Sequence, residues 1–193
     1  METQRKLIDA MIQLAHKKNY DRITVQELCR AAGVSTGSFY HQFGTKDGLA
    51  LAAYQSVDWL LTDDFTAEYS HLPPLHALDR LLRKYICYVR DEIGPEIGQY
   101  YRVLLNHPSV HRYDRDRPYC QEICRILKQA MDQNIISTQY TPEELTDLVM
   151  RLVRGLLFDW VLQGDQYDLL GHYEMEYRIF FFGMRKNPED STS

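Results

Sequence analysis

The stretch ITVQELCRAAGVSTGSFYHQF, residues 23–43, decides the fold. Thr24-Val25-Gln26-Glu27 reads as a capping box, so a helix starts at Thr24. Gly33 falls where that helix must stop and reverse, and glycine tolerates the left-handed backbone such a stop requires. Ser35 can cap a second helix two residues later. Two short helices joined by a glycine turn make a helix-turn-helix. Cys29 and Ala32 are small enough for the helix crossing, and Leu28, Val34, Phe39 and Phe43 supply an apolar plug beneath it. An ordinary helical corner has the same outline but does not require all these features together.

In a helix-turn-helix, the second helix offers its N-terminal face to the DNA major groove. That face comprises Thr36, Gly37 and Ser38, with Tyr40 and His41 one turn on. Hydroxyls and amides at a helix N-terminus suit phosphate, and the helix dipole adds to this. Glycine at 37 permits close backbone approach. Tyr40 and Lys46 can clamp phosphates on either side, and Thr24 can reach one from the first helix of the motif.

Outward from the motif, helical periodicity dominates and no two-residue alternation is sustained. Leu7, Ala10, Met11 and Leu14 form one stripe. A long fourth helix is predicted over 45–69, with Leu49, Ala53, Val57, Leu60, Leu61 and Phe65 on its stripe. Pro73 and Pro74 end it. Further stripes run through Leu75–Val89, Ile97–Leu105 and Cys120–Met131, with a charged loop over 107–118. Thr141-Pro142-Glu143-Glu144 opens a long helix, and a last one runs from about Tyr167 to Lys186. The fold class is all-α with about nine helices. A three-helix head, residues 1–48, opens the fourth helix, and residues 49–193 form one larger helical domain.

The whole chain of 193 residues carries a net charge of −5, which argues against general nucleic-acid binding. The sum hides an asymmetry. Residues 1–55 hold seven basic side chains (Arg5, Lys6, Lys17, Lys18, Arg22, Arg30, Lys46) against five acidic ones, and so carry +2. The remainder carries −7. At 45% hydrophobic and 25% charged the composition is that of a globular chain, not a disordered one. Residues 1–18 are charged and amphipathic, and no run of 18 apolar residues occurs. A cytoplasmic location without membrane partners is expected, with the four cysteines as thiols.

VSTGSFYHQF (34–43) followed by Gly44-Thr45-Lys46-Asp47-Gly48-Leu49 resembles the TetR/AcrR family of bacterial transcriptional regulators. The shared pattern is a recognition helix ending in Phe-Tyr-x-x-Phe, then x-x-Lys-x-x-Leu opening the fourth helix. The match covers residues 5–55; the rest agrees in architecture. Cys29 stands where alanine is usual and Asp47 where glutamate is usual. The resemblance implies a homodimeric repressor that binds an operator in double-stranded DNA and is released by a small-molecule effector. Carried over residue by residue, it implies DNA contacts from Thr24, Ser35, Thr36, Gly37, Ser38, Tyr40, His41 and Lys46.

The last two helices are apolar on two faces, which calls for burial on both. Leu152, Gly155, Leu156, Ile179 and Phe182 are the expected dimer interface; burial within a monomer's own core is the alternative. Among the chain's 14 tyrosines and two tryptophans, Trp59, Tyr85, Tyr88, Tyr101, Tyr119 and Trp160 can line an effector pocket, or simply pack the core. Arg151 and Arg154 either neutralise an anionic effector or pair with Asp147 or Asp159, and pairing is the better expectation. Cys120 and Cys124 raise a thiol-based redox regulator as an alternative, although an i, i+4 pair on an intact helix suits a disulfide poorly. A DNA-bound protein that recruits a protein partner is another. No metal or cofactor is expected: Pro108 denies His107 and His111 a common helical face. No phosphate loop, H-E-x-x-H or nucleophile elbow points to an enzyme.

Overall fold

Side-chain caps start the helices where the sequence places them. Thr24 and Thr141 each form a complete capping box, with Glu27 and Glu144 reaching back to the cap amide. Ser35, Thr45 and Thr62 each accept from the amide three residues on. The protein is described by a computed structural model covering residues 2–106, 115–136 and 139–184. Among these the regular structure is helical: α1 Glu2–Ala15, α2 Val25–Ala32, α3 Thr36–Phe43, α4 Lys46–Gln55, α5 Asp63–Tyr69, α6 Pro74–Tyr88, α7 Ile97–Asn106, α8 Pro118–Asp132, α9 Pro142–Gln163 and α10 Leu169–Met184. Residues 107–114 of the expected charged loop, and 185–186 of the expected last helix, lie outside the described residues.

The predicted long fourth helix over 45–69 is not continuous. It breaks into α4, a 3₁₀ turn Ser56–Leu60, and α5. The apolar periodicity is real, but the polar groups at the break are used elsewhere. Ser56 Oγ bonds back to Ala53 O at 2.6 Å and meets Tyr88 Oη at 2.9 Å. Such back-bonding competes with the helical ladder. Thr62 then caps α5 as a new start.

Contacts divide the chain into two units, one of residues 1–57 with 87–112 and one of 58–86 with 113–193. The cut after residue 48 expected above is one of role; contacts divide the chain elsewhere. In the first unit α1 packs on α2 and α4, and α4 on α7. Leu7, Ile8, Leu28, Phe39 and Leu49 fill its centre, fully buried. Tyr54 of α4 stacks on Tyr100 of α7, with ring centroids 3.8 Å apart and planes 7° from parallel.

In the second unit α9 packs on α8 and α10. Leu78, Leu81, Ile123, Leu127, Val149 and Leu157 are buried. Several of the polar groups taken inside are hydrogen-bonded. Arg117 Nε donates to Asp58 Oδ2 at 3.0 Å, and the amide of Tyr119, in the first turn of α8, donates to Asp58 Oδ1 at 3.2 Å. Asp58 thus serves as the anion at that helix start. Tyr119 Oη donates to Leu81 O, and Tyr173 Oη to Asp79 Oδ1 at 2.8 Å.

Phe39 is the fully buried side chain of α3, so Phe39→Ala is expected to cost about 3–5 kcal/mol, read by urea unfolding.

Candidate nucleic-acid interface

α2 ends because Gly33 takes φ +67°, a left-handed conformation. The amides of Gly33 and Val34 then turn back onto Arg30 O (3.3 Å) and Cys29 O (2.9 Å). Three residues on, Ser35 Oγ accepts from Ser38 N at 3.1 Å and meets Ser38 Oγ at 2.9 Å. α3 is thus capped at its start. Below it Phe39 and Leu28 are buried, with Val34 and Phe43 half-buried. Cys29 is buried at the crossing, its Sγ 3.8 Å from Ser35 O.

The opposite face of α3 is open. Thr36, Gly37, Ser38, Tyr40 and His41 are exposed, as are Ser35 and Thr24. Tyr40 is 56% exposed while its ring edge rests on Phe39, 5.4 Å between centroids. A Cβ on Gly37 would meet nothing nearer than Ser35 Oγ at 3.8 Å. The chain's own packing therefore does not demand glycine there; a close approach from outside is what the missing side chain leaves room for. The first amides of α3 have no intrahelical acceptor, which leaves donors directed outward for an anion.

The hydroxyls are less free than their sequence positions suggest. Thr24 Oγ1 donates to Glu27 Oε2 (2.9 Å) and accepts from Glu27 N (3.2 Å). Lys46 is half-buried and its ammonium is already in use. Nζ donates to Tyr20 O at 2.9 Å and Ile23 O at 3.1 Å, and lies 4.3 Å from the Tyr20 ring centroid. One N–H remains of three. Lys46 therefore ties the start of α4 to the turn before α2. Gly48 completes the junction: a Cβ there would overlap Phe43 O, so α4 can start close under the end of α3 only with glycine.

The residues expected to line an effector pocket fall in both units. Tyr88 and Tyr101 belong to the first unit, and Trp59, Tyr85, Tyr119, Arg151 and Trp160 to the second. Tyr85 and Tyr119 do meet, 5.4 Å between centroids, and both are buried. Tyr88 reaches Ser56, and Tyr101 lies 5.7 Å from Tyr100. Trp59 and Trp160 are half-buried. Arg151 is exposed, and one of the two carboxylates expected to receive it, Asp147, is held by Arg115 with two hydrogen bonds. A cavity of about 30 Å³ lies between Leu82, Val149, Leu156, Tyr173, Glu176 and Phe181. Burial raises the pKa of Glu176, the one acid among its lining residues. Tyr173, Glu176 and Phe181 all lie on α10; nothing in the sequence pattern marked Glu176.

On the expected dimer face, Ile179 is 67% exposed, Gly155 exposed and Leu152 half-buried. Leu156 packs inside the chain at 3% exposure, and the Phe182 side chain lies outside the described residues. The residues that extend the outer face are Phe158 (42%), Leu162 (67%) and Met175 (50%). Cys120 and Cys124 are half-buried one turn apart on α8, and burial raises the Cys124 thiol above its ordinary pKa. That disfavours the reactive thiolate a redox sensor needs.

Residues 7–53 match the family described as bacterial regulatory proteins, tetR family. Within residues 7–53 the chain is thus similar to the TetR family. It is 36% identical over 74 residues to the HTH-type transcriptional regulator CymR of Pseudomonas putida, covering 38% of this chain and 36% of CymR. Against the HTH-type transcriptional regulator BetI of Rhizobium meliloti it is 29% identical over 94 residues, 48% and 45% of the two chains. These matches thus span less than half the length of either relative. Thermus thermophilus FadR, a TetR-family repressor solved with lauroyl-CoA, superposes with a TM-score of 0.74 at 20% identity, covering 96% of this chain and 97% of that one. The all-α fold of the family therefore extends over nearly the whole chain. Among the described residues no helix is long and apolar enough to cross a membrane.

Lys18 and the Thr24 cap hold the Glu27 carboxylate down at about 2, against an ordinary 4.5. A depressed acid stabilises the fold above its unfolded pKa and loses that contribution as pH falls through the folded value. The melting-temperature gap between wild type and Glu27→Gln is therefore expected to be full at neutral pH. It should close between about pH 4.5 and 2.

Proposed function

We propose that this chain is a cytoplasmic, homodimeric transcriptional repressor that binds a palindromic operator in double-stranded DNA and leaves it when a small molecule binds. The carrying observation is α3: a helix capped at its start, plugged beneath by Phe39, and exposed along Thr36, Gly37, Ser38, Tyr40 and His41. Those residues enter the major groove, Tyr40 and the free N–H of Lys46 take phosphates, and Thr24 and Ser35 flank them. Residues 1–48 read DNA; residues 49–193 dimerise and bind the effector.

The dimer forms through α9 and α10. Exposed Phe158 and Leu162 recur at i, i+4 on α9, as do Met175 and Ile179 on α10. Apolar side chains in such rows mark an interaction surface more than a solvated one. Dimerisation has a purpose here: two recognition helices roughly 34–36 Å apart enter successive major grooves. The effector is a small organic molecule taken into the second unit, as the FadR neighbour takes lauroyl-CoA. The 30 Å³ cavity beside Glu176 and Tyr173 is far below the roughly 300 Å³ a ligand pocket needs, so its walls separate on binding. No residues point to an enzyme.

The reading is tested by selecting a duplex from a random pool with the wild-type protein. Tyr40→Phe and Lys46→Ala are then expected to weaken binding to every sequence, and Lys46→Ala also to lower the salt slope by about one. Unchanged affinity and slope for Lys46→Ala would remove it from the interface. Native mass spectrometry is expected to show a dimer that Ile179→Glu converts to monomer, with operator affinity lost in parallel.

A further inference from the structure

Tyr20 sits at the meeting point of three elements. Its hydroxyl donates to Lys46 O at 2.9 Å and lies 3.4 Å from Asp47 Oδ1, both at the start of α4. Its ring carries Lys46 Nζ at 4.3 Å and the Arg102 guanidinium carbon at 5.6 Å. Asp21, the next residue of the same 3₁₀ turn, receives both terminal nitrogens of Arg102, at 2.7 and 2.8 Å. The turn itself is pinned by Asn19, whose side chain accepts from Asp21 N at 2.8 Å. Arg102 belongs to α7, outside the helix-turn-helix.

Exposed ion pairs contribute little on average, but a bidentate arginine–carboxylate pair fixes both position and orientation. We infer that Arg102 and Asp21 are positioning residues for DNA binding. Their pair holds the Tyr20–Arg22 turn, whose neighbouring carbonyls hold the Lys46 ammonium, so α7 sets where the phosphate-contacting end of α4 lies. The inference rests on the DNA-binding role proposed for the head. α7 grips α4 at both ends: through this turn at Lys46 and through the Tyr54–Tyr100 stack near the other end. A shift of α7 is therefore passed to the start of α4 even though α4 stops at Gln55.

The test uses the full chain and the duplex selected by the wild type. Asp21→Asn and Arg102→Gln are each expected to weaken binding about threefold to tenfold and to lower the salt slope by up to about one, with melting temperature unchanged. The double variant binds like either single variant, and the reversed pair Asp21→Arg with Arg102→Asp recovers most of the affinity. Wild-type affinity in both single variants overturns the inference. So do additive losses, failure of the reversed pair, or losses that only track a falling melting temperature. A second readout needs no DNA: NMR of the Lys46 ammonium protons, whose exchange with water is expected to quicken several-fold in Arg102→Gln. Unchanged exchange overturns the tether by itself. If exchange quickens but the wild type selects no duplex, the tether stands and the DNA-binding reading falls.

Discussion

The ammonium of Lys46 joins the start of α4 to the turn that precedes α2, and the geometry of the head hangs on that junction. A recognition helix of eight residues cannot hold its own orientation. Phe39 plugs it from below, Gly48 lets α4 begin close beneath its end, and Lys46 then ties α4 back to Tyr20 and Ile23. A cation does this well because two carbonyl oxygens and an aromatic face all favour positive charge, and none supplies a competing donor. The lysine proposed to offer charge to DNA is thus also the one that sets the angle of the helix proposed to read it. Affinity and geometry are coupled through one side chain.

The same residue shows the limit of reading function from spacing. The sequence pattern places Lys46 and Thr24 where phosphates are expected, and both lie at the starts of helices as predicted. Capping boxes, the left-handed Gly33 and the Phe39 plug were all legible, because each is a local rule acting over three or four residues. How far the polar groups were already engaged was not legible. That depends on Tyr20, 26 residues from Lys46, and on Arg102, 81 residues from Asp21. Neither distance leaves a periodic trace.

The break after Gln55 has a similar cause. The apolar stripe from Leu49 to Phe65 keeps helical spacing, so the pattern reads as one helix. What divides it is the hydrogen bonding of Ser56, while Asp58 is drawn to the start of α8. Periodicity reports which residues are apolar, not where the backbone stays continuous. The expected pocket residues meet the same limit. Aromatic side chains on separate helices do not say which helices meet, and it takes the fold to bring Tyr85 against Tyr119.

These facts bear on how movement passes along α4. A rigid helix from 45 to 69 would act as one lever, carrying motion straight to Lys46. The lever is absent. Among the described residues the chain crosses between its two units at 57–58, within a 3₁₀ turn, and at 86–87, just before a π-helical turn over Val89–Ile93. Each crossing adjoins a short irregular segment, and such segments absorb dihedral change more readily than a helix interior does. The head has its own stiffener in α7, stacked on Tyr54 and clamped to Asp21. Within the first unit α4 is therefore braced at both ends. Bending α4 alone would first have to break its hold on α7, so α4, the Tyr20–Arg22 turn and α7 are expected to move together.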